Sequence, residues 1–247
     1  MARLLLFLAA LVLAGCGGTN YVFQAPTPEA AVSFTVLSDS LAPDPEVAAM
    51  VAPYRENLEA QVSEVVGRAE VEIQKGRPEG PLGTFAAEAM LSVVQGLTDR
   101  PVHLALTNNG GLRRPLGPGA ITVGQMFELM PFENMMIVLD FSAAQVDSLA
   151  QQLARSGGDP IAGFSFLITP DERAVNVRVA DEPLDSARTY RLVTSDYLAN
   201  GGGPYSVLWG DVPREELAYL LRDAFTDHLR AIGIMENRVD GLIRVQQ

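Results

Sequence analysis

Two glycine-bearing loops and one aromatic turn carry the residues of this sequence best suited to grip a small ligand. The first loop, Thr107-Asn108-Asn109-Gly110-Gly111-Leu112-Arg113, follows a short apolar run. Paired glycines let backbone approach a ligand closely. The arginine two residues on presents a planar fork matched to phosphate or carboxylate. The second loop, Ser195-Asp196-Tyr197-Leu198-Ala199-Asn200-Gly201-Gly202-Gly203-Pro204, also follows an apolar run and sets a tyrosine ahead of its glycines. Between them, Met130-Pro131-Phe132 offers a ring just after a short helical pattern. Read one at a time, each has a plain structural alternative. Glycine pairs make turns, lone rings fill cores, and a loop arginine stands in water.

Other chemistries are poorly supplied. Asp and Glu outnumber Lys and Arg by 30 to 18, a net charge of −12 over 247 residues. Binding driven by phosphate neutralisation needs a basic face, so nucleic acid is excluded as a partner. Two histidines, His103 and His228, and one cysteine, Cys16, are too few for an ordinary zinc site, and a lone cysteine forms no internal disulfide. A metal held by carboxylates alone stays open. There is no Gly-x-Ser-x-Gly elbow, and neither histidine neighbours a serine in a recognisable motif. His103, in an apolar run, reads as a satisfied core residue, and His228 as the flank of the last helix.

The N-terminus reads as an address. Arg3 precedes the apolar run Leu4 to Leu13, then Ala14, Gly15 and Cys16. Ten apolar residues are about half of what spans a bilayer, and a basic start with a small-residue end marks a secretory signal. Leu13-Ala14-Gly15-Cys16 resembles the lipobox of bacterial lipoproteins, in which cleavage precedes the cysteine and the thiol is lipidated. The expectation is a signal peptide over 1–15, lipid attachment at Cys16, and a flexible Gly/Thr/Pro/Ala tether over 16–31. Gly17, where an aspartate favours inner-membrane retention in many bacteria, points to the outer membrane. The chain would then face the periplasm or the exterior.

The elements that must position the loops follow from patterning. Hydrophobic residues are 48% and charged residues 19% of the chain, enough for a core. Val32 to Leu37 is expected to be extended. Asp44-Pro45 opens a helix as N-cap and first residue, with Val47, Met50, Tyr54, Leu58 and Val62 as its core face. Val65 to Ile73 alternates like a strand, and a helix runs through Phe85, Ala89 and Val93. Strands are expected at Val102 to Leu106, Met135 to Phe141, Phe164 to Ile168, Val175 to Val179 and Tyr190 to Thr194. Capping boxes at Thr122 and Ser142 open two helices, the second with Val146, Leu149 and Leu153 inward. A last helix is expected from about Pro213 to Ile232, carrying Leu217, Leu220, Leu221, Ala224 and Leu229 inward. Several strand connections are too short for parallel crossovers. The fold class expected is α+β, a single domain over 32–247 with a mixed β-sheet and flanking helices.

Taken in order, the motifs are more specific than any one of them. They resemble the C-terminal domain of the 5'-nucleotidase family over residues 40 to 245. The family pattern runs Asn-Gly-Gly-Gly-Ile-Arg, a threonine-opened short helix ending in Pro-Phe, a strand, a capped helix, and a Phe/Tyr-Leu-Ala-Asn/Ser-Gly-Gly loop. Here these are Asn108 to Arg113, Ile121-Thr122 through Pro131-Phe132, Ser142 onward, and Tyr197 to Gly202. Upstream, Leu82-Gly83-Thr84-Phe85-Ala86-Ala87-Glu88-Ala89-Met90 resembles the family's Leu-Gly-Asn-Leu-Ile-Ala-Asp-Ala-Met helix.

The resemblance implies a nucleotide- or nucleoside-binding domain. Phe132 and Tyr197 would stack the base between them. Asn108 would hydrogen-bond base or ribose, Arg113 would hold the phosphate, and Gly111 and Gly202 would bring backbone to the ligand. There are departures. Gly203 stands where members commonly carry an aspartate for the ribose hydroxyls. Pro78 replaces an arginine, with Arg77 beside it, and Thr84 replaces the helix asparagine. Full members also have a metallophosphatase domain whose metal pair activates water and clamps the phosphoryl oxygens. This sequence has no Asp-x-His and no Gly-Asn-His-Glu/Asp motif, so no catalytic residue, metal ligand or cofactor is assigned to it. Three readings stay open: the substrate-binding half of a split enzyme whose divalent metal pair sits on a separate metallophosphatase chain, a non-catalytic nucleotide-binding module, or a structural surface lipoprotein.

Overall fold

The computed structural model describes residues 41–246. The signal segment, Cys16, the tether and the Val32 to Leu37 segment lie outside the described residues. The described part divides at Ala48 into two units. In the first, Asp44 caps a helix start, its Oδ1 accepting the N–H groups of Glu46 and Val47 at 2.9 and 3.1 Å.

In chain order the elements are α1 (Pro45–Val62), β1 (Val65–Ala69), α2 (Pro81–Val94), β2 (Leu104–Leu106), β3 (Gly119–Thr122), α3 (Val123–Leu129), β4 (Met135–Ser142) and α4 (Ala143–Arg155). They continue with β5 (Ile161–Ala162), β6 (Phe164–Ile168), β7 (Ala174–Val179), β8 (Glu182–Pro183), β9 (Thr189–Ser195) and α5 (Asp196–Ala199). A 3-10 turn (Ser206–Leu208), β10 (Arg214–Leu220), α6 (Leu221–Ile232), β11 (Ile234–Met235) and β12 (Ile243–Val245) complete the chain.

The second unit is built on a five-stranded sheet in the order β10-β4-β9-β2-β5, in which only β2 and β9 run parallel. Successive side chains of a strand point to opposite faces. Met136 and Val138 of β4, Val193 of β9 and Ala105 of β2 therefore join one core, with α2 and α6. Ile137, Leu139 and Phe141, with Leu192, Leu104 and Leu106, join the other, with Val146, Leu149 and Leu153 of α4. Smaller sheets, β11-β1-β3 and β12-β6-β7-β8, complete an α+β architecture with mixed sheets. Both capping boxes form, Thr122 with Gln125 and Ser142 with Gln145.

Three sequence expectations need correction. Val47, Met50, Tyr54 and Leu58 of α1 are exposed rather than core; three-four spacing makes one side of a helix apolar without supplying anything to cover it. The strand from Val65 stops at Ala69, and Ile73 makes an isolated bridge to Leu116. The long helix expected from Pro213 is a strand, β10, followed by a shorter helix, α6. Leu217, Leu221 and Ala224 satisfy a helical period, but 214–216 pair with β4, and ladder bonds outweigh propensity there.

Candidate functional site

Strand directions explain why three segments far apart in sequence meet. β2 and β9 are parallel neighbours, Leu104 opposite Leu192 and Ala105 opposite Val193, so the loops at their C-terminal ends leave side by side. β4 runs antiparallel to β9 with Met136 opposite Ser195. Its preceding turn, which carries Phe132, therefore arrives at the same end of the sheet. The result is a cleft of about 350 Å³ lined by Asn108, Gly110, Gly111, Arg113, Phe132, Asn134 and Tyr197, a size within the usual range for small-molecule sites.

Five of the residues singled out from the sequence, Asn108, Gly111, Arg113, Phe132 and Tyr197, thus share one cleft. Both rings are open to solvent, Phe132 at 42% and Tyr197 at 48% exposure, so neither is a core residue. The Arg113 guanidinium lies 5.9 Å from the centre of the Phe132 ring. It makes one long hydrogen bond, from Nη1 to the Gly110 carbonyl at 3.4 Å, and no ion pair among the described residues. Among the described residues Arg113 is the only charged one lining the cleft, which therefore favours an anion despite the acidic chain. A larger groove of about 720 Å³ lies between α2 and α6. Its Arg238 is already paired with Glu88, Glu236 and Asp240, so it offers no free cation.

Gly202 touches the tyrosine. A Cβ at position 202 would come within 2.3 Å of the Tyr197 ring, so only glycine permits the ring's present place. The Gly202 N–H also donates to the Tyr197 carbonyl at 2.8 Å. At Gly203, a Cβ would meet Leu198 Cδ2 at 2.6 Å, so no longer side chain can be added without moving Leu198.

The first loop is anchored from beneath, Arg77 apart, by residues the sequence did not flag. Asp159, 4% exposed, accepts the Asn109 N–H at 3.0 Å, the Tyr205 hydroxyl at 2.5 Å and Arg77 Nη2 at 3.1 Å. Burial and the adjacent Asp159 push the Tyr205 phenol well above its ordinary value, so it stays protonated and donates. Lys75 Nζ donates to the Asn109 and Leu112 carbonyls at 3.3 and 3.1 Å. Arg77 also donates to the carbonyls of Ser156, at 2.7 Å, and Gly158. It is tied into this support and does not line the cleft. Thr84 is buried in α2 and also lies outside the cleft.

Asn134, two residues past the ring, lines the cleft and was also missed. The signal available was its place in the same short turn as Phe132. His103 is satisfied, its Nδ1 accepting the Arg191 N–H at 3.0 Å. Among the described residues, no three His, Cys, Asp or Glu side chains come close enough to hold a metal ion.

Comparison with known proteins defines the class. The model of the 5'-nucleotidase C-terminal domain matches residues 63–209, more than half of the chain. The chain belongs to that family. It is 28% identical over 239 residues to the trifunctional nucleotide phosphoesterase protein YfkN of Bacillus subtilis, covering 88% of this chain and 16% of that protein. The crystal structure of a 5'-nucleotidase precursor from Thermus thermophilus superposes with a TM-score of 0.69 at 26% identity, covering 83% of this chain and 44% of that one. The Haemophilus influenzae NAD nucleotidase shares the fold, with a TM-score of 0.66 at 18% identity over 83% of this chain and 42% of that one. The chain spans less than half the length of each.

Proposed function

We propose that this chain is the nucleotide- or nucleoside-capturing half of a 5'-nucleotidase-type phosphohydrolase, working with a separate metallophosphatase chain that holds the divalent metal pair. The observation that carries the reading is the cleft itself: two exposed rings and one arginine with no ion pair among the described residues, gathered from three segments at one end of the sheet. The π-face of a base stacks on an aromatic ring whatever the base, at about 1–3 kcal/mol. Phe132 and Tyr197 would hold the base, Asn108 and Asn134 would meet its polar edge, and Arg113 would take the phosphate. A planar guanidinium grips phosphate oxygens in pairs. With glycine at 203, the ribose hydroxyls gain no carboxylate partner, so ribose and deoxyribose should bind alike. Lipidation at Cys16 would hold the chain on the bacterial envelope, with its cleft open to nucleotides outside the cytoplasm.

The test of the divided enzyme is reconstitution. The purified full chain is expected to leave AMP intact in the presence of divalent metal. Hydrolysis should appear when a secreted metallophosphatase that lacks its own nucleotide-binding domain, encoded beside this chain, is added. Robust hydrolysis by the chain alone would overturn the division of labour. Binding of AMP with no hydrolysis after such a metallophosphatase is added would favour the non-catalytic module.

A further inference from the structure

Arg222, at the start of α6, is a buried cation that the proposed binding roles leave unused. It is 6% exposed, yet none of the ion pairs among the described residues includes it. A buried charge without a carboxylate is costly unless other groups replace its water. Carbonyl oxygens and a ring do so here. Nη1 donates to the Met130 carbonyl at 3.2 Å and, more weakly, to the Phe132 carbonyl at 3.5 Å. The guanidinium carbon lies 3.9 Å from the centre of the Phe127 ring, a cation–π distance. Among the described residues its buried Nε has no hydrogen-bond partner. The neighbouring residue acts on the same segment, the Leu221 N–H donating to the Asn134 carbonyl at 2.9 Å.

Two consecutive residues of α6 therefore grip three carbonyls of the turn that delivers Phe132 and Asn134 to the cleft. The Phe132 ring is exposed over 42% of its surface, so packing holds only part of it and its place depends also on the backbone beneath. We infer that Arg222 is a positioning residue for base stacking: by clamping the Met130–Asn134 turn it sets where Phe132 stands opposite Tyr197. This rests on the nucleotide-binding reading above.

The experiment compares the full chain with Arg222→Met and Arg222→Lys by two measurements. The first is hydrogen exchange without ligand. Arg222→Met should speed exchange at Phe132 to Asn134 by tenfold or more and leave 107–113 and 196–203 unchanged. Unchanged exchange in the turn, or faster exchange throughout, overturns the clamp. The second is calorimetric titration with adenosine and with ribose 5-phosphate. Arg222→Met should weaken adenosine about tenfold and ribose 5-phosphate less than twofold. Arg222→Lys keeps the cation but loses the planar fork, and should fall between. In a Phe132→Ala background, Arg222→Met should add less than a twofold loss, because the ring it positions is gone. Full additivity would show a general structural role and overturn the inference. If the unsubstituted chain binds no adenosine with or without the metallophosphatase, the nucleotide-binding reading fails and takes this one with it. Adenosine binding that Arg222→Met leaves unaltered overturns only the role given to Arg222.

Discussion

Gly202→Ala isolates the geometry of the cleft from its composition, because it removes no group that would touch the ligand. A Cβ there would sit 2.3–2.4 Å from three Tyr197 ring carbons. Carbon atoms in good contact stand about 3.5–4.0 Å apart, so the ring must shift by about 1 Å or more. A radial gap of that size forfeits about a quarter to a half of the dispersion well. Applied to a stack of about 1–3 kcal/mol, the larger fraction is about 0.5–1.5 kcal/mol, or roughly a two- to tenfold loss of affinity. Tyr197→Ala removes the whole platform and should cost about ten- to a hundredfold by the same scale. The assay is calorimetric titration of the full chain in detergent with adenosine. Gly117→Ala, where an added Cβ meets nothing within 4 Å, is the control and should bind as the parent does. The double variant Gly202→Ala/Tyr197→Ala should bind no more weakly than Tyr197→Ala alone. If Gly202→Ala binds adenosine as tightly as the parent, or if its loss adds to that of Tyr197→Ala, the Tyr197 ring is not the platform.

Arg113→Ala should weaken AMP about tenfold while leaving adenosine within twofold, since only the former carries the phosphate; equal losses for both would refute a phosphate role. Asp159→Ala leaves the Tyr205 hydroxyl and the Asn109 N–H without their acceptor, and should lower stability to urea by about 2–4 kcal/mol; a loss below about 0.5 kcal/mol would show that the loop is held otherwise. Burial depresses the His228 pKa below its ordinary 6.5, so between the two values the unfolded chain binds the extra proton. The stability His228 contributes is then fully present above 6.5 and lost as pH falls through the depressed native value. His228→Gln should flatten the pH dependence of the urea midpoint below neutrality, and an unchanged dependence would exclude this source. Cys16→Ala should abolish acyl labelling and membrane retention, and normal attachment of the variant would overturn the lipid anchor.

Much of the cleft was legible because its parts are local motifs. Asn108 to Arg113, Pro131-Phe132 and Tyr197 to Gly202 each declare a loop or a ring by composition, and their order added the rest. That they converge depends on β2 and β9 being parallel neighbours, which no local pattern states. Asp159 was invisible for the same reason. Its partners Tyr205, Asn109 and Arg77 lie 46, 50 and 82 residues away, and a single aspartate before a proline carries no signal of three donors converging on it. Arg222 was hidden by the helical reading of 213–232, which gave it no reason to face the Phe132 turn. Where the structure overrode the periodicity, at β10, pairing with β4 supplied bonds that Leu217 and Leu221 could not foretell.

Nucleotide binding between Phe132 and Tyr197 is what everything proposed for this chain rests on. The most direct measurement is titration of the purified full chain with AMP and adenosine, run in parallel on Phe132→Ala. The account expects saturable binding of both ligands and a ten- to hundredfold loss of both on removing the ring, about 1.4 kcal/mol for each factor of ten. No binding of either ligand by the parent, with or without the metallophosphatase, or undiminished binding by Phe132→Ala, would contradict it.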